Sequence, residues 1–144
     1  MGTLLGSAVT HGFQRLADRR GELFARSEAL RQERMGAYSA FAAAMEDYRR
    51  GQADRWYRKV EDADGEAFLV ARDEAHRLRT VARQALYLAK LLTDDAEVVL
   101  AAEQAYRCTR DVSNAQDQAD RDARDARAKG AIESFVSRAS PLVR

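Results

Sequence analysis

Proline and glycine are scarce in this chain. No proline lies between residues 13 and 140, and that span holds only five glycines: Gly21, Gly36, Gly51, Gly65 and Gly130. Because these two residue types mark most turns and strand ends, a chain with so few of them is expected to form long helices. We therefore expect an all-α protein, in which any functional site is built from side chains on facing helices.

Other absences exclude whole classes of protein. Cys108 is the only cysteine, so no disulfide can form within the chain, and we expect this side chain to be small, buried and unreactive. No stretch approaches the roughly 20 apolar residues that span a bilayer. The 24 basic and 23 acidic residues nearly cancel. Nucleic acid is therefore not an expected partner, because proteins that bind phosphate backbones usually carry a basic excess.

Alanine and arginine are abundant instead. The 144 residues include 28 alanines and 21 arginines but one isoleucine and one asparagine, a bias typical of GC-rich, mostly bacterial, genomes. Hydrophobic residues make up 46% of the chain, which argues against disorder. A chain of this length usually forms one domain, and we expect residues 13–144 to do so.

The apolar spacing predicts two helices before residue 93. The first runs over residues 13–60, with Tyr38, Phe41, Met45 and Tyr48 on one coiled-coil-like face. An acidic, glycine-terminated turn over residues 61–65 follows it. The second helix is expected over residues 66–92, with alanines at helical spacing that allow a neighbouring helix to approach closely.

Two more helices are expected after residue 93. Asp94 with Glu97 three residues later resembles a capping box, and Thr93 is a competing cap. The break at Ser113–Asn114 is weak. We expect a fourth helix over residues 115–139, stopped by Pro141, with one continuous helix from Asp95 as the alternative. The predicted fold is an antiparallel four-helix bundle with an overlong first helix.

The length of the first helix carries the functional hypothesis. At 1.5 Å per residue it would be about 70 Å long, against about 40 Å for the second helix, so its first half should project from the bundle. Leucines repeat there every seven residues, next to a phenylalanine. The predicted oligomer interface comprises Leu16, Leu23, Phe24 and Leu30. A projecting apolar face favours a partner helix, most simply one from a second copy in a dimer.

Two further groups of residues are candidate binding sites. The run Arg55, Trp56, Tyr57 and Arg58 is a possible patch for a protein partner, although Trp56 capping the core is the favoured interpretation. A ligand-binding bundle would instead have an apolar pocket between the first two helices. Its predicted lining is Tyr38, Phe41, Tyr48 and Leu86.

No motif predicts an enzyme, a metal site or a cofactor. His11 and His76 are the only histidines, and neither belongs to the Glu-x-x-His pairs of metal-binding bundles. The only polar group that could be nominated for catalysis is Asp47, Asp73, His76 and Glu103. We expect a non-enzymatic interaction or scaffold protein that self-associates, with the ligand-binding or regulatory bundle as the alternative.

Three runs carry a resemblance to a known group. They span residues 31–41, 54–56 and 91–95, and they resemble uncharacterised small all-helical bacterial proteins. Many of those proteins have an apolar membrane anchor before the long helix, and residues 1–12 resemble the end of such an anchor. We expect a cytoplasmic protein, and the resemblance leaves open whether it is associated with a membrane. The resemblance implies no activity and no functional residue.

Overall fold

The structure is a computed structural model that describes residues 4–144, with side chains from residue 10 onward. Four α helices fill this part of the chain, and it contains no strand. They are α1 (Leu4–Glu61), α2 (Glu66–Leu91), α3 (Ala96–Asp111) and α4 (Gln118–Ala139). Single 3-10 turns follow α3 (Val112–Asn114) and α4 (Ser140–Val143). The predicted all-α class is confirmed.

Hydrogen bonds fix the direction of each helix. At one end of the bundle Arg34 Nε of α1 donates to Leu92 O, which directly follows α2, at 2.7 Å. At the same end Arg31 Nη1 donates to Val143 O, beyond α4, at 3.0 Å. At the other end Trp56 Nε1 donates to Ala115 O, which precedes α4, at 2.8 Å. Helices α2 and α4 are therefore both antiparallel to α1.

The core lies between the second half of α1 and the other three helices. Phe41, Met45 and Tyr48 are almost completely buried, as their spacing predicted. Phe41 packs edge-on against Phe135 of α4, with ring centroids 4.8 Å apart. Alanines on α2 and α3 complete this core, and their small side chains let the helices approach closely. Cys108 is also buried, as expected.

The start of α1 differs from the prediction. The helix begins at Leu4, earlier than the expected Phe13. Residues 4–12 contain no proline, and an isolated glycine costs only about 1 kcal/mol within a helix, so neither Gly6 nor Gly12 ends it. Residues 1–3, and the side chains of residues 4–9, lie outside the described part of the chain. The predicted anchor remnant over residues 1–12 therefore stays a prediction.

The N-cap residues of α3 and α4 also differ from those that the sequence predicted. Asp95, not Asp94, caps α3, and its carboxylate accepts from the backbone N–H groups of Glu97 at 2.9 Å and Val98 at 3.3 Å. Thr93 does not cap α3, and its hydroxyl instead donates to Ala89 O of α2 at 2.6 Å. Helix α4 begins at Gln118, not at residue 115, because Asp117 accepts from Asp120 N and caps it. The alternative of one continuous helix is wrong.

Candidate interaction surfaces

The first half of α1 projects beyond the bundle. Every side chain from residue 10 to residue 27 is exposed. The predicted interface residues share this exposure, with accessible fractions of 53% for Leu16, 65% for Leu23, 74% for Phe24 and 38% for Leu30. We call the surface formed by these four residues the seam. Apolar side chains of this size form a surface that can pack against another helix.

The seam ends where the bundle begins. Arg31 ties α1 to Val143 O and also donates from Nε to Glu28 Oε2 at 2.9 Å. Hydrogen bonds from Arg31 and then Gln32 lower the pKa of Glu28 to about 2. This carboxylate is therefore ionised at neutral pH and orients Arg31 toward the end of the chain.

The seam continues the face that is buried further along α1. Steps of seven residues from Leu16, Leu23 and Leu30 lead to Ala37 and Ala44, both buried. Steps of seven from Phe24 lead through Arg31 to Tyr38 and Met45, which are also buried. Residues seven apart lie nearly above one another on a helix. One face of α1 is therefore covered by the bundle in its second half and uncovered in its first half.

Polar residues interrupt the seam. Arg20 and Ser27 lie on the same face, between the leucines, and both are exposed. Charged residues of both signs flank that face, including Asp18, Arg19 and Glu22. In a helix pair, a polar residue in the apolar seam lowers affinity but helps to fix the register. The surface is suited to a specific contact of moderate strength.

The predicted partner patch contains two aromatic residues that pack together and two arginines that lie away from them. The rings of the buried Trp56 and the exposed Tyr57 are 5.3 Å apart, and the Arg121 guanidinium lies 6.0 Å from the first and 4.5 Å from the second. Arg58 turns elsewhere, to Glu61 at 3.1 Å. Arg55 lies on another side of α1, toward α2 and α3. Successive residues of a helix are rotated by about 100°, which explains the divergence.

The side chains of the predicted apolar pocket pack into the core. Tyr38, Phe41, Tyr48 and Leu86 are all buried, and Phe41 and Tyr48 are among the largest fully enclosed side chains. Tyr38 and Phe135 also form the inner wall of a surface depression of about 320 Å³ at the α1–α4 junction. The interpretation as a ligand-binding bundle stays a prediction.

The three carboxylates of the nominated catalytic group each contact a basic side chain. Asp47 pairs with Arg50 at 2.5 Å, and Glu103 pairs with Lys90 at 2.7 Å. Asp73 contacts its neighbour Arg72, while His76, three residues further along α2, lines a cleft together with Arg79. Within residues 10–144 no three metal-ligating side chains come together. The described helices also include none that is long and apolar enough to cross a membrane.

Comparison with known proteins gives one informative match. A search of curated proteins and a search of solved structures each give no significant match. A family model described as "KilB plasmid transfer protein" matches residues 35–143, which is well over half of the chain. The match covers the bundle and begins just after the seam, and it supports the resemblance to small bacterial proteins. The chain belongs to the KilB plasmid transfer protein family.

Proposed function

We propose that this protein is a non-enzymatic scaffold in plasmid transfer and that it self-associates through the seam. The family description supports a role in plasmid transfer, and the projecting first half of α1 supports self-association. The bundle holds the projecting half of α1 in place. The seam on this half packs against the seam of a second copy of the chain, and the two chains form a dimer.

The observation that carries this proposal is the shared register of the seam and the core. The face of α1 that carries Leu23 and Phe24 is the face that buries Phe41 and Met45 further along. Packing a second helix against it would bury apolar surface at about 25 cal/mol per Å². A second copy is the simplest occupant, because a twofold axis lets the same surface serve both chains.

The strength of the contact follows from its size and its polar residues. Residues 10–30 extend over about 30 Å of helix, which accommodates three heptads. Arg20 and Ser27 interrupt the apolar surface. Burying these polar side chains offsets part of the free energy gained by burying the apolar ones. We expect a dimer that forms at micromolar concentration and dissociates on dilution.

Analytical ultracentrifugation across a concentration series tests the dimer. The double variant Leu23→Glu/Leu30→Glu places four carboxylates in the dimer seam and should be monomeric at concentrations where the parent is dimeric. The matched control is Ala25→Glu/Ala29→Glu, which adds the same charge to the exposed opposite face of the same helix. The control should dimerise like the parent. At a concentration low enough for all three proteins to be monomeric, circular dichroism should show the same melting of the bundle in each.

Two results would contradict the mechanism. One is a parent chain that stays monomeric at tens of micromolar, and the other is equal dissociation of the seam variant and its control. The process is tested separately by deleting the coding sequence from its source and scoring plasmid transfer to recipient cells. An unchanged transfer frequency would remove the link to plasmid transfer and leave the dimer intact.

A further inference from the structure

A basic cleft lies at the opposite end of the bundle from the seam. It has a volume of about 280 Å³, and α1, α2 and the end of α3 form its walls. Each helix contributes one arginine: Arg55, Arg79 and Arg110. His76 lies at the rim, and no aspartate or glutamate is among the lining residues. Three arginines therefore line one recess that has no carboxylate among its lining residues.

These arginines lack the partners that other arginines of the bundle have. Arg49 binds Asp125 at 2.8 Å and Arg77 binds Glu74 at 2.7 Å. By contrast, Arg79 Nε reaches only the neutral hydroxyl of Tyr106, at 3.2 Å. Arg110 has a loose contact of 3.7 Å with Asp111, and Arg55 forms no ion pair with any described residue.

The lining of the cleft carries a local excess of positive charge. The whole chain has a formal net charge of only +1, whereas the lining includes three arginines and no carboxylate. Like charges that share a partly enclosed site repel one another more strongly than they do in open water. An anion in the cleft would remove that repulsion, and it would gain charge-assisted hydrogen bonds from the planar guanidinium groups.

The floor of the cleft adds neutral hydrogen-bond donors. Gln52 Nε2 donates to Arg110 O at 2.8 Å and to Ser113 Oγ at 3.1 Å, which leaves the Ser113 proton free to donate. Burial raises the pKa of Tyr48 to about 12, although Arg79, Arg110 and Arg55 oppose the shift. The Tyr48 hydroxyl therefore stays protonated at neutral pH. The lining residues thus include two that carry hydroxyl groups, Ser113 and the mostly buried Tyr48, besides the three arginines.

We propose that this cleft binds a small molecule through a compact phosphate group, such as the diphosphate of a free oligophosphate or of a nucleotide. Arginine forks match the oxygen geometry of phosphate, and several of them around one point favour a multiply charged anion. The arginines converge on one recess and do not form a stripe along a helix. That arrangement favours a compact ligand over an extended nucleic-acid backbone. The proposal does not depend on self-association.

Isothermal titration calorimetry with sodium pyrophosphate at low ionic strength tests the site. We expect saturable binding with one ligand per chain, and weaker binding as salt is added. Arg55→Gln and Arg110→Gln should each weaken binding about tenfold or more, because each removes a charge-assisted contact. Gln52 binds the backbone carbonyl of Arg110, so that substitution keeps the internal hydrogen bond. The matched control is Arg50→Gln, whose side chain is exposed and lies outside the cleft.

Parallel titrations distinguish the sources of the phosphate. Tighter binding of ATP than of pyrophosphate assigns a nucleotide, and equal or weaker binding of ATP assigns a free oligophosphate. The proposal is overturned if neither compound binds the parent at millimolar concentration, or if both cleft variants bind as the parent does. Binding of a short DNA duplex without binding of pyrophosphate or ATP would also overturn it. Melting curves of the variants verify that they are folded.

Discussion

The two halves of α1 have the same register and opposite surroundings. Residues 31–61 carry a face that is buried against three other helices, while residues 10–30 carry the continuation of that face in solvent. Phe41 is fully buried and Phe24 is 74% exposed, although both are phenylalanines of one continuous helix. The helix therefore does not determine its own burial. The lengths of α2 and α4 do, because they end where Arg31 and Arg34 bind the last carbonyls.

The largest expected contrast is between the two phenylalanines. Phe41→Ala leaves a cavity beside Phe135 and should lower the free energy of unfolding by about 4 kcal/mol. Phe24→Ala removes no contact of the bundle and should change it by less than about 0.5 kcal/mol. Urea denaturation of the monomer measures both. Equal losses would show that the projecting half folds back onto the bundle.

Two neighbouring arginines in the second half of α1 allow a buried and an exposed ion pair to be compared. Arg49 lies between Glu46 and Asp125, its side chain is only 16% exposed, and it joins α1 to α4. Arg49→Met should lower the free energy of unfolding by about 2 kcal/mol, because it removes hydrogen bonds to two carboxylates. The control Arg50→Met breaks an exposed pair with Asp47 and should cost less than about 0.5 kcal/mol. If urea denaturation showed similar losses of unfolding free energy for both variants, burial would not determine the strength of these ion pairs.

Alkaline pH should weaken the bundled half through Tyr48. Its pKa is raised to about 12, so the unfolded chain loses this proton first. The contribution is complete below about pH 10 and is lost as the pH rises toward 12, up to about 2 kcal/mol. Stability measured against pH should fall less steeply in Tyr48→Phe than in the parent. Tyr87→Phe, which removes the hydroxyl of a half-exposed ring, should keep the parent's slope.

The smallest contrast concerns three glycines of α1. A β-carbon at Gly21 or Gly36 meets no atom within 4 Å, whereas one at Gly51 would lie 2.5 Å from Leu78 Cδ1. Gly36→Ala should raise the free energy of unfolding by about 0.5–1 kcal/mol through helix propensity. Gly51→Ala should give no gain, because Leu78 must move. Gly21→Ala should increase helicity by circular dichroism without changing the unfolding midpoint of the bundle.

Most of the fold could be predicted from the sequence because the apolar spacing is regular. The spacing correctly predicted that Tyr38, Phe41, Met45 and Tyr48 lie in the core. The break between α3 and α4 was also predicted correctly. The α3 cap was misassigned because Asp94 and Asp95 are adjacent and equally suitable. The Thr93 hydroxyl instead donates to Ala89 O at the end of α2. It also forms a hydrogen bond with the Tyr38 hydroxyl, a tertiary contact that the local sequence does not reveal.

The basic cleft could not be predicted from the sequence. Its three arginines are on three helices, and each has an ordinary explanation in its own segment. Arg55 belonged to the predicted partner patch, and Arg79 is one of four arginines between residues 72 and 83, a pattern that is typical of a solvated helix face. Only the packing of α1 against α2 and α3 brings them to one recess. The exposed seam, in contrast, followed from the length of α1 and the seven-residue spacing of its leucines.

The carbonyl groups of Leu92 and Val143, held by Arg34 and Arg31, have a consequence for any helix that docks on α1. In the proposed dimer, these ends of α2 and α4 would limit how far a second copy of α1 can overlap the first along the helix axis.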